Sequence, residues 1–529
     1  MAKVNTLVGL AAVGIIWILV ASPAAGDNVL RWASDVGALT FDPHSAKHGP
    51  STIQRDQVYE RLLHTSAGLE VVPQLAIAWR PLDALTWEFE LRKGVRFHDG
   101  APFTAEDVVF SIGRARSEPS QVAGDFADIS EARALDADTV HFTTRTPDAL
   151  LPDRLRLLFI MSKTWAEKHG VTRAADFRAG EETYATRHAN GTGPFILERF
   201  EPGGRIVTRR NPDWWGYERY PVNIDRIEFT PIAAPEQRLA ALMSGEIDLL
   251  TSPPFDALDR IEATPGLKLA QTTQLRSVWL GVNQASPELR SSDLKGVNPF
   301  KDEHVRRAMY RAIDVEAIRD QVMQGRSVPA GMIIPPGVNG HAPEFDQRLP
   351  YDPEAARALL TEAGYPNGFG VTLDCPSNQY INDEAICRAA AKQLSEVGIE
   401  VSIDAQPEDR HYQKVDARHS DFWLESFTAE TLDSLEVVDL FFRSGGLFNA
   451  FGYANPRVDE LIDQLGMASL TYARDALIEE VWRIVLDDIV FLPLHHQVLV
   501  WAMRDNLDLP ISPLNYPVFR EARLKAPIN

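Results

Sequence analysis

Two cysteines, Cys375 and Cys387, have the most readily predicted chemistry in this sequence. In an exported protein, two thiols this close in sequence would form a disulfide that closes a short polar segment and restricts the unfolded chain. Two buried free thiols are the alternative. A two-cysteine metal site is less favoured, because no histidine lies between them to complete a tetrahedral ligand set. We predict the disulfide.

Local motifs for catalysis are absent from the sequence. It contains no Gly-x-Ser-x-Gly elbow, no His-Glu-x-x-His zinc motif and no Cys-x-x-Cys pair. The segment 191–195 begins like a phosphate-binding loop, but Pro194 lacks an N–H and Ile196 stands where a dinucleotide fingerprint needs a third glycine. We predict a turn there and no enzyme activity. A secreted hydrolase stays the alternative, since acidic residues can meet in space without a motif.

The histidines do not form a recognisable ligand set. His495 and His496 are adjacent on a predicted strand, where neighbouring side chains point to opposite faces. We expect one of them to be buried and hydrogen-bonded. The remaining histidines are scattered without carboxylate or cysteine spacing, so the sequence predicts no metal site and no cofactor.

Alternating strand and helix signals predict α/β lobes. Apolar residues recur at every second position in 86–91, which predicts a strand with one buried face. Thr104 stands before an acidic first turn and predicts the start of a helix. Apolar positions at three- and four-residue spacing predict another helix over 305–313, and Asp352 with Pro353 predicts a third that ends at Gly364. A strand is predicted at 399–404.

Length, charge and the first residues narrow the class of protein. With 529 residues, 45% of them hydrophobic, more than one lobe is expected, and a net charge of −21 without a basic stripe argues against nucleic acid as a partner. Residues 1–26 place Lys3 before an apolar run that ends at Val20 and small residues near Ala24 to Gly26. This order predicts a cleaved export signal and a periplasmic location. A retained N-terminal anchor is the alternative.

Five ordered segments then carry a family resemblance. They are 85–111, which includes Trp87-Glu88-Phe89-Glu90-Leu91-Arg92-Lys93-Gly94; Gly191-Thr192-Gly193-Pro194-Phe195; Asn211-Pro212-Asp213-Trp214-Trp215; Gly245-Glu246-Ile247-Asp248; and 300–314. Together they resemble the family 5 extracellular solute-binding proteins, the dipeptide, oligopeptide and nickel receptors of ATP-driven bacterial importers. The resemblance covers nearly the whole mature chain.

The resemblance implies two lobes joined by crossing strands, with an extra subdomain on the first lobe and a ligand enclosed between the lobes. The order of the family's chain puts the first lobe at 27–58, 207–285 and 503–529, the subdomain at 59–206 and the second lobe at 286–502. Closure of the lobes around an unmodified solute would then require no covalent chemistry.

The family's cleft loop in the second lobe matches Trp423 to Ser434. Glu430 falls on the position where dipeptide receptors carry an acid for the peptide amino group; a surface or helix-start acid is the alternative. Asp433 falls on a second acidic position, where capping of the next helix is the favoured role. No arginine stands in the segment that matches the family's ligand-carboxylate site.

Polar and aromatic residues complete the predicted ligand set. Asn378 and Gln379 are candidates for hydrogen bonds to a neutral polar ligand, and Tyr380 for the cleft wall, with core packing as its alternative. Phe427 and Trp423 are candidates for stacking on a ligand. Trp501 lies near the predicted return crossing, and His44 and His48 lie where the chain enters the cleft.

We therefore predict a monomeric periplasmic receptor that captures a small polar solute, most simply a short peptide or amino-acid derivative, and delivers it to the membrane permease of an importer. Metal complexes, sugars and opine-like compounds stay alternatives for the cargo. Besides the hydrolase, an interaction or chaperone module on the same scaffold is the alternative function.

Overall fold

The computed structural model describes residues 28–66, 68–377, 379–429, 431–468 and 471–525. Its strands, β1 to β19 in chain order, are Val29–Ala33, Leu63–Thr65, Val71–Pro73, Ala76–Pro81, Thr86–Leu91, Ile129–Ala134, Thr139–Thr144, Phe195–Phe200, Ile206–Arg210, Arg226–Phe229, Leu249–Leu250, Leu267–Val282, Ser327–Pro329, Phe369–Ser377, Ile399–Pro407, Phe422–Thr428, Phe491–Arg504, Leu507–Asp508 and Arg523–Leu524.

Its helices, α1 to α15, are Gly49–Arg55, Ala105–Arg116, Leu151–Leu155, Lys163–Lys168, Tyr184–Arg187, Pro235–Ser244, Leu258–Glu262, Glu303–Ala312, Val315–Gln321, Pro353–Glu362, Asp383–Ser395, Glu408–Asp416, Ser434–Phe441, Pro456–Met467 and Thr471–Asp487. Among the described residues, no helix is both long enough and apolar enough to cross a bilayer. The predicted export signal lies outside the described residues.

One long sheet runs through both lobes. Its strand order is β15-β14-β16-β12-β17-β11-β1-β10-β9-β8, and β13 also pairs with β17. We call β13 to β16 with α8 to α15 the second lobe, and β1 with β8 to β11, α6 and α7 the first lobe. Strands β12 and β17 pair antiparallel from Leu267↔Arg504 to Gly281↔Phe491 and pass from one lobe to the other. The predicted two-lobed α/β fold with a hinge of crossing strands is confirmed.

The hinge ladder is interrupted near its middle. Thr273 pairs with Val498 and Ser277 pairs with His496, so the three residues 274–276 lie opposite Gln497 alone. Such a bulge bends its strand and turns side chains away from the regular ladder. Its first and last residues therefore leave the ladder beside the cleft.

The extra subdomain has its own sheet and core. The antiparallel order β4-β5-β7-β6 packs with α2 and α3 around Phe89 and Phe142. Thr104 caps α2 as predicted, and its backbone N donates to Asp107 Oδ2 at 2.9 Å. The fold thus contains the predicted subdomain, while the segment limits given above for the lobes and the subdomain stay predictions.

Glycines allow close backbone packing just before β8. A Cβ on Gly191 would lie 1.9 Å from the carbonyl oxygen of Val58, and Gly193 N donates to that oxygen at 2.9 Å. The chain bends at 192–194, in line with the predicted turn. These glycines serve packing of the first lobe.

Other local predictions are also confirmed. Strand β5, the helix α8 and the strand β15 occur where the residue patterns placed them. Asp352 Oδ1 accepts from Ala355 N at 2.9 Å at the start of α10, and Gly364 follows that helix with a φ of 88°. A disulfide joins Cys375 on β14 to Cys387 on α11 inside the second-lobe core.

The lobes touch on either side of the hinge strands. Leu69, at the tip of the β2–β3 hairpin, packs against the second-lobe core, and a Cβ on Gly337 would lie 2.3 Å from its Cδ1. Arg326 Nη2 of the second lobe lies 3.1 Å from Asp259 Oδ1 of the first. The described conformation therefore has its lobes in contact.

Candidate functional site

A cavity of about 440 Å³ lies between the lobes, within the roughly 300–1,000 Å³ typical of small-molecule sites. On the first-lobe and subdomain side it is lined from within 43–65, 122–125, 156–159 and 512–518. The hinge contributes Gln274 and Arg276, and the end of β16 contributes Thr428 with the following Ala429. A bound molecule would therefore contact both lobes and the hinge.

Arg55 and Arg61 bring guanidinium groups to the first-lobe wall. Helix α1 ends at Arg55, which is buried and donates from Nη1 to the carbonyl oxygen of Ala46 at 3.0 Å. Arg61 forms an ion pair with Asp56, and its guanidinium lies 4.0 Å from the centre of the Phe159 ring. The cavity thus has two fixed cations on one side.

The hinge bulge supplies a third cation, Arg276. Its Nε donates to Thr428 Oγ1 at 2.9 Å, and its guanidinium lies 5.9 Å from the centre of the Tyr380 ring. Within the described ranges it forms no ion pair with a carboxylate. A ligand anion at this point would form a charge-assisted hydrogen bond with its guanidinium.

Positive charge exceeds negative charge in the described cavity wall. Five Lys and Arg residues line it, since Lys47 and Arg156 join the three arginines above, against two aspartates, Asp56 and Asp125. Lys47 Nζ lies 2.5 Å from Asp125 Oδ1. Burial alone would raise the pKa of Asp56, but Arg61 and Arg520 outweigh it and hold that pKa below its usual range. Both ions of the Asp56–Arg61 pair are thus charged at neutral pH.

The two histidines of the wall are neutral at physiological pH. Burial, reinforced by Arg520, lowers the pKa of His64 to about 3. Burial and the nearby Arg55 also lower the pKa of His48, whose Nδ1 accepts from Ser51 N as the cap of α1. Arginine and lysine, not imidazolium, therefore set the charge of the cavity.

Several polar atoms of the wall are left for a ligand. Arg55 Nη2, Arg61 Nε and His64 Nε2 are buried nitrogen atoms without a hydrogen-bond partner in the described part of the chain. An unsatisfied buried donor is costly, so a ligand with acceptor oxygens would stabilise this arrangement. Carboxylates suit it best, because they accept bidentate hydrogen bonds from guanidinium groups.

Of the predicted site residues, His48 lies in the cavity wall. His44 lies outside the described cavity wall: it is 1% exposed, with Nε2 2.9 Å from the carbonyl oxygen of Phe159 and Nδ1 3.0 Å from Arg114 Nη1. Burial lowers the pKa of His44 to about 3. His44 therefore braces the first lobe from behind the cavity.

The two predicted tryptophans also lie in cores. Trp423 is 1% exposed and packs on Phe451 inside the second lobe. Trp501 is buried in the first-lobe core, and its Nε1 donates to Asn515 Oδ1 at 2.9 Å. Neither lines the cavity, because large apolar rings gain more from full burial than from a half-open wall. Trp501 instead orients Asn515, which does line it.

Asp433 and Phe427 serve the second lobe from beside the cavity. Asp433 Oδ1 accepts from Leu435 N at 2.9 Å as the cap of α13, the role favoured above, and lies 2.6 Å from Arg474 Nη2. The Phe427 ring packs on Phe441 with centres 5.2 Å apart. Both positions lie next to the lining residues without belonging to the wall.

Gln379 and Tyr380 are held by the loop that leads into α11. Asp383 Oδ2 accepts from the backbone N of Gln379 at 2.9 Å and of Tyr380 at 3.2 Å. Tyr380 is buried and shares a short hydrogen bond with Tyr412, so core packing, its alternative role, is what the structure shows. Asn378 and Glu430 lie outside the described residues.

No local sequence pattern predicted the cationic wall. Arg55, Arg61, Arg156 and Arg276 come from separate segments, each inside an ordinary amphipathic or loop sequence, so no local spacing connects them. The one available signal was the placement of Arg276 within the long strand of the crossing hinge.

His495 and His496, for which one buried side chain was expected, are both buried.

Comparison with known proteins agrees with this architecture. Residues 70–449 match the family described as "Bacterial extracellular solute-binding proteins, family 5 Middle". The glutathione-binding protein GsiB of Shigella dysenteriae is 25% identical over 513 residues, which cover 94% of this chain and 95% of that protein.

Two solved structures share the fold. HbpA2 from Haemophilus parasuis superimposes with a TM-score of 0.82 at 22% identity, over 94% of this chain and 100% of that one. The periplasmic binding protein DppA from Helicobacter pylori, in complex with the peptide STSA, superimposes with a TM-score of 0.73 at 23% identity. That match covers 94% of this chain and 98% of DppA. Because the family match spans well over half of the chain, this protein belongs to the bacterial extracellular solute-binding proteins of family 5.

Proposed function

We propose that the protein is an exported, monomeric receptor of an ATP-driven importer and that its cargo is a small peptide or amino-acid derivative with more carboxylates than ammonium groups. The single observation that carries this proposal is the excess of arginine and lysine in the wall of the cavity between the lobes. A partly buried cationic wall favours a ligand that supplies the counter-charges, and it disfavours a cationic one.

Glutathione is the first compound to test. It has two carboxylates and one ammonium group, and the relative GsiB is named as a glutathione-binding protein. In this proposal the carboxylates pair with Arg61 and Arg276, His48 contacts the ligand, and Glu430 receives the ammonium group. Such a ligand would satisfy arginine donors on both sides of the cleft.

Ligand capture would act through the hinge. A solute that contacts Arg61 on one side and Arg276 with Thr428 on the other would bind the closed form more tightly than the open form. Binding would therefore shift the population of the protein toward the closed form. The closed form then presents both lobes to the permease in one fixed arrangement. Leu69 and the Arg326–Asp259 pair would add contacts in the same closed state.

Calorimetric titration of purified protein tests the proposal. Reduced glutathione and the tripeptide Ala-Glu-Ala should bind, Ala-Ala-Ala should bind more weakly, and Ala-Lys-Ala should not bind. Loss of a buried charge partner costs roughly 2–5 kcal/mol, so Arg276→Gln should weaken glutathione by at least about 30-fold. Arg199→Gln, which alters an exposed arginine paired with Glu201, is the matched control. The proposal of an anionic cargo is rejected if the protein prefers Ala-Lys-Ala, or if Arg276→Gln binds glutathione with the affinity of wild type.

The same samples separate receptor from hydrolase. Related proteins named above are binding proteins, and we propose that this one also releases its ligand unchanged. Mass spectrometry after prolonged incubation should recover the intact compound. Appearance of a cleaved product would favour the hydrolase, and binding to a partner protein that ignores every solute would favour the interaction module.

A further inference from the structure

Three side chains with metal-binding atoms meet beside the hinge, outside the cavity wall. Asp346 Oδ2 lies 3.0 Å from His341 Nε2 and 3.2 Å from His496 Nε2, and all three atoms lie within 4.8 Å of one another. His496 is fully buried, while His341 and Asp346 keep slight exposure. None of the three lines the cavity described above.

The surrounding residues fix the carboxylate so that one oxygen faces both rings. Asp346 Oδ1 accepts from Gly331 N at 2.7 Å and from Met332 N at 3.0 Å. A Cβ on Gly331 would lie 2.7 Å from the backbone of Asp346, which shows how tightly these two chain segments pack. Oδ2 is thereby left as the oxygen available to the histidines.

The buried ring has a partner on its other nitrogen. His496 Nδ1 lies 2.8 Å from Ser277 Oγ on β12. Metal-bound histidines are usually oriented in this way by a second hydrogen bond, which selects the tautomer that leaves Nε2 free. When Nε2 binds a metal, the His496 proton would reside on Nδ1 and be donated to Ser277.

The geometry points to a site for a first-row divalent cation, Zn²⁺ or a close relative, held by His341 Nε2, Asp346 Oδ2 and His496 Nε2. Two imidazole nitrogens and one carboxylate oxygen form a common zinc ligand set that leaves a further position for water.

Metal binding at this point would brace the hinge. His341 and Asp346 belong to the segment after β13, and His496 belongs to the crossing strand β17. The next residue of that strand, Gln497, donates from Nε2 to Oε1 of the cavity residue Gln274 at 2.7 Å. A cation would thus tie the second lobe to the part of β17 opposite the hinge bulge.

Zinc titration of untagged, chelator-treated full-length protein tests the site directly. Competition with a chromophoric chelator should reveal one tight Zn²⁺ equivalent, and Co²⁺ should give visible absorption typical of nitrogen and oxygen ligands. The midpoint of thermal unfolding should rise when Zn²⁺ is added. These readouts do not depend on which solute the cavity binds.

Two variants and a control make the assignment specific. His341→Gln removes a partly exposed ligand, and Asp346→Asn keeps an oxygen for Gly331 and Met332 while replacing the metal-facing one. Each variant should lower the affinity for Zn²⁺ by more than about 100-fold. Removing a residue that only hydrogen-bonds a metal ligand already lowers metal affinity about 10- to 100-fold. His304→Gln alters an exposed His–Asp pair and should leave binding unchanged. The inference is overturned if wild type and both variants bind zinc with equal affinity, or if wild type has no tight zinc site. The three side chains would then form only a hydrogen-bonded cluster.

Discussion

Glu425 offers a direct test of how burial shapes the pH dependence of this protein. It lies on β16 with 7% of its surface exposed, and its Oε1 accepts from Ser426 N at 3.0 Å. Burial raises the pKa of Glu425 to about 8, and the hydrogen bond from Ser426 offsets only part of that effect. Glu425 is therefore protonated in the folded protein at neutral pH and ionised in the unfolded chain.

This difference makes Glu425 a source of instability at higher pH. The folded state binds the proton more tightly, so its stabilising contribution is complete below the unfolded pKa of about 4.5 and is lost as the pH rises through the folded value of about 8. At about 1.4 kcal/mol per pKa unit, a change from about pH 5 to about pH 8 removes roughly 3 kcal/mol from the free energy of unfolding.

Glu425→Gln keeps the shape of the side chain and cannot ionise. Urea unfolding at the two pH values should show a fall in stability that is roughly 3 kcal/mol smaller in the variant than in wild type. Glu400→Gln, at an exposed position of β15, an edge strand of the same sheet, should keep the wild-type dependence. The reasoning is refuted if Glu425→Gln loses as much stability as wild type over this range.

Three further predictions concern other parts of the chain. The cysteines Cys375 and Cys387 should resist alkylation in unfolded, non-reduced protein, and replacing both with serine should lower the free energy of unfolding by about 3 kcal/mol, as expected for a short closed loop; free thiols would contradict this. Leu69→Ala should weaken ligand binding about fivefold, because the hairpin tip loses roughly 1 kcal/mol of apolar contact between the lobes, which we expect to form on closure. Leu447→Ala, at an exposed site, is the control. In calorimetry, Glu430→Gln should weaken the binding of glutathione more than the binding of a glutathione analogue that lacks the amino group. An equal loss of affinity for both ligands would argue against an ionic role of Glu430.

Local chemistry made much of the scaffold predictable from sequence. Thr104 and Asp352 mark helix starts through bonds within three residues: the backbone N of Thr104 donates to Asp107 Oδ2, and Asp352 Oδ1 accepts from Ala355 N. The two cysteines likewise pair across a short segment. The cavity was harder to predict, because only long-range packing brings Arg61 and Arg276 into the same wall. Aromatic type alone also does not separate a core ring from a binding surface, as the burial of Trp423 shows.

The three-residue interruption of β12 has a consequence for evolution and for protein engineering. Gln274 and Arg276 line the cavity from the same place where the crossing ladder is interrupted, so cavity lining and the bend of the strand share one short segment. Substitutions there that retune selectivity should also alter how fast the receptor opens to release what it carries. A biosensor built on this scaffold would gain independent control of signal and specificity by changing Arg61, outside the hinge, and leaving residues 274–276 untouched.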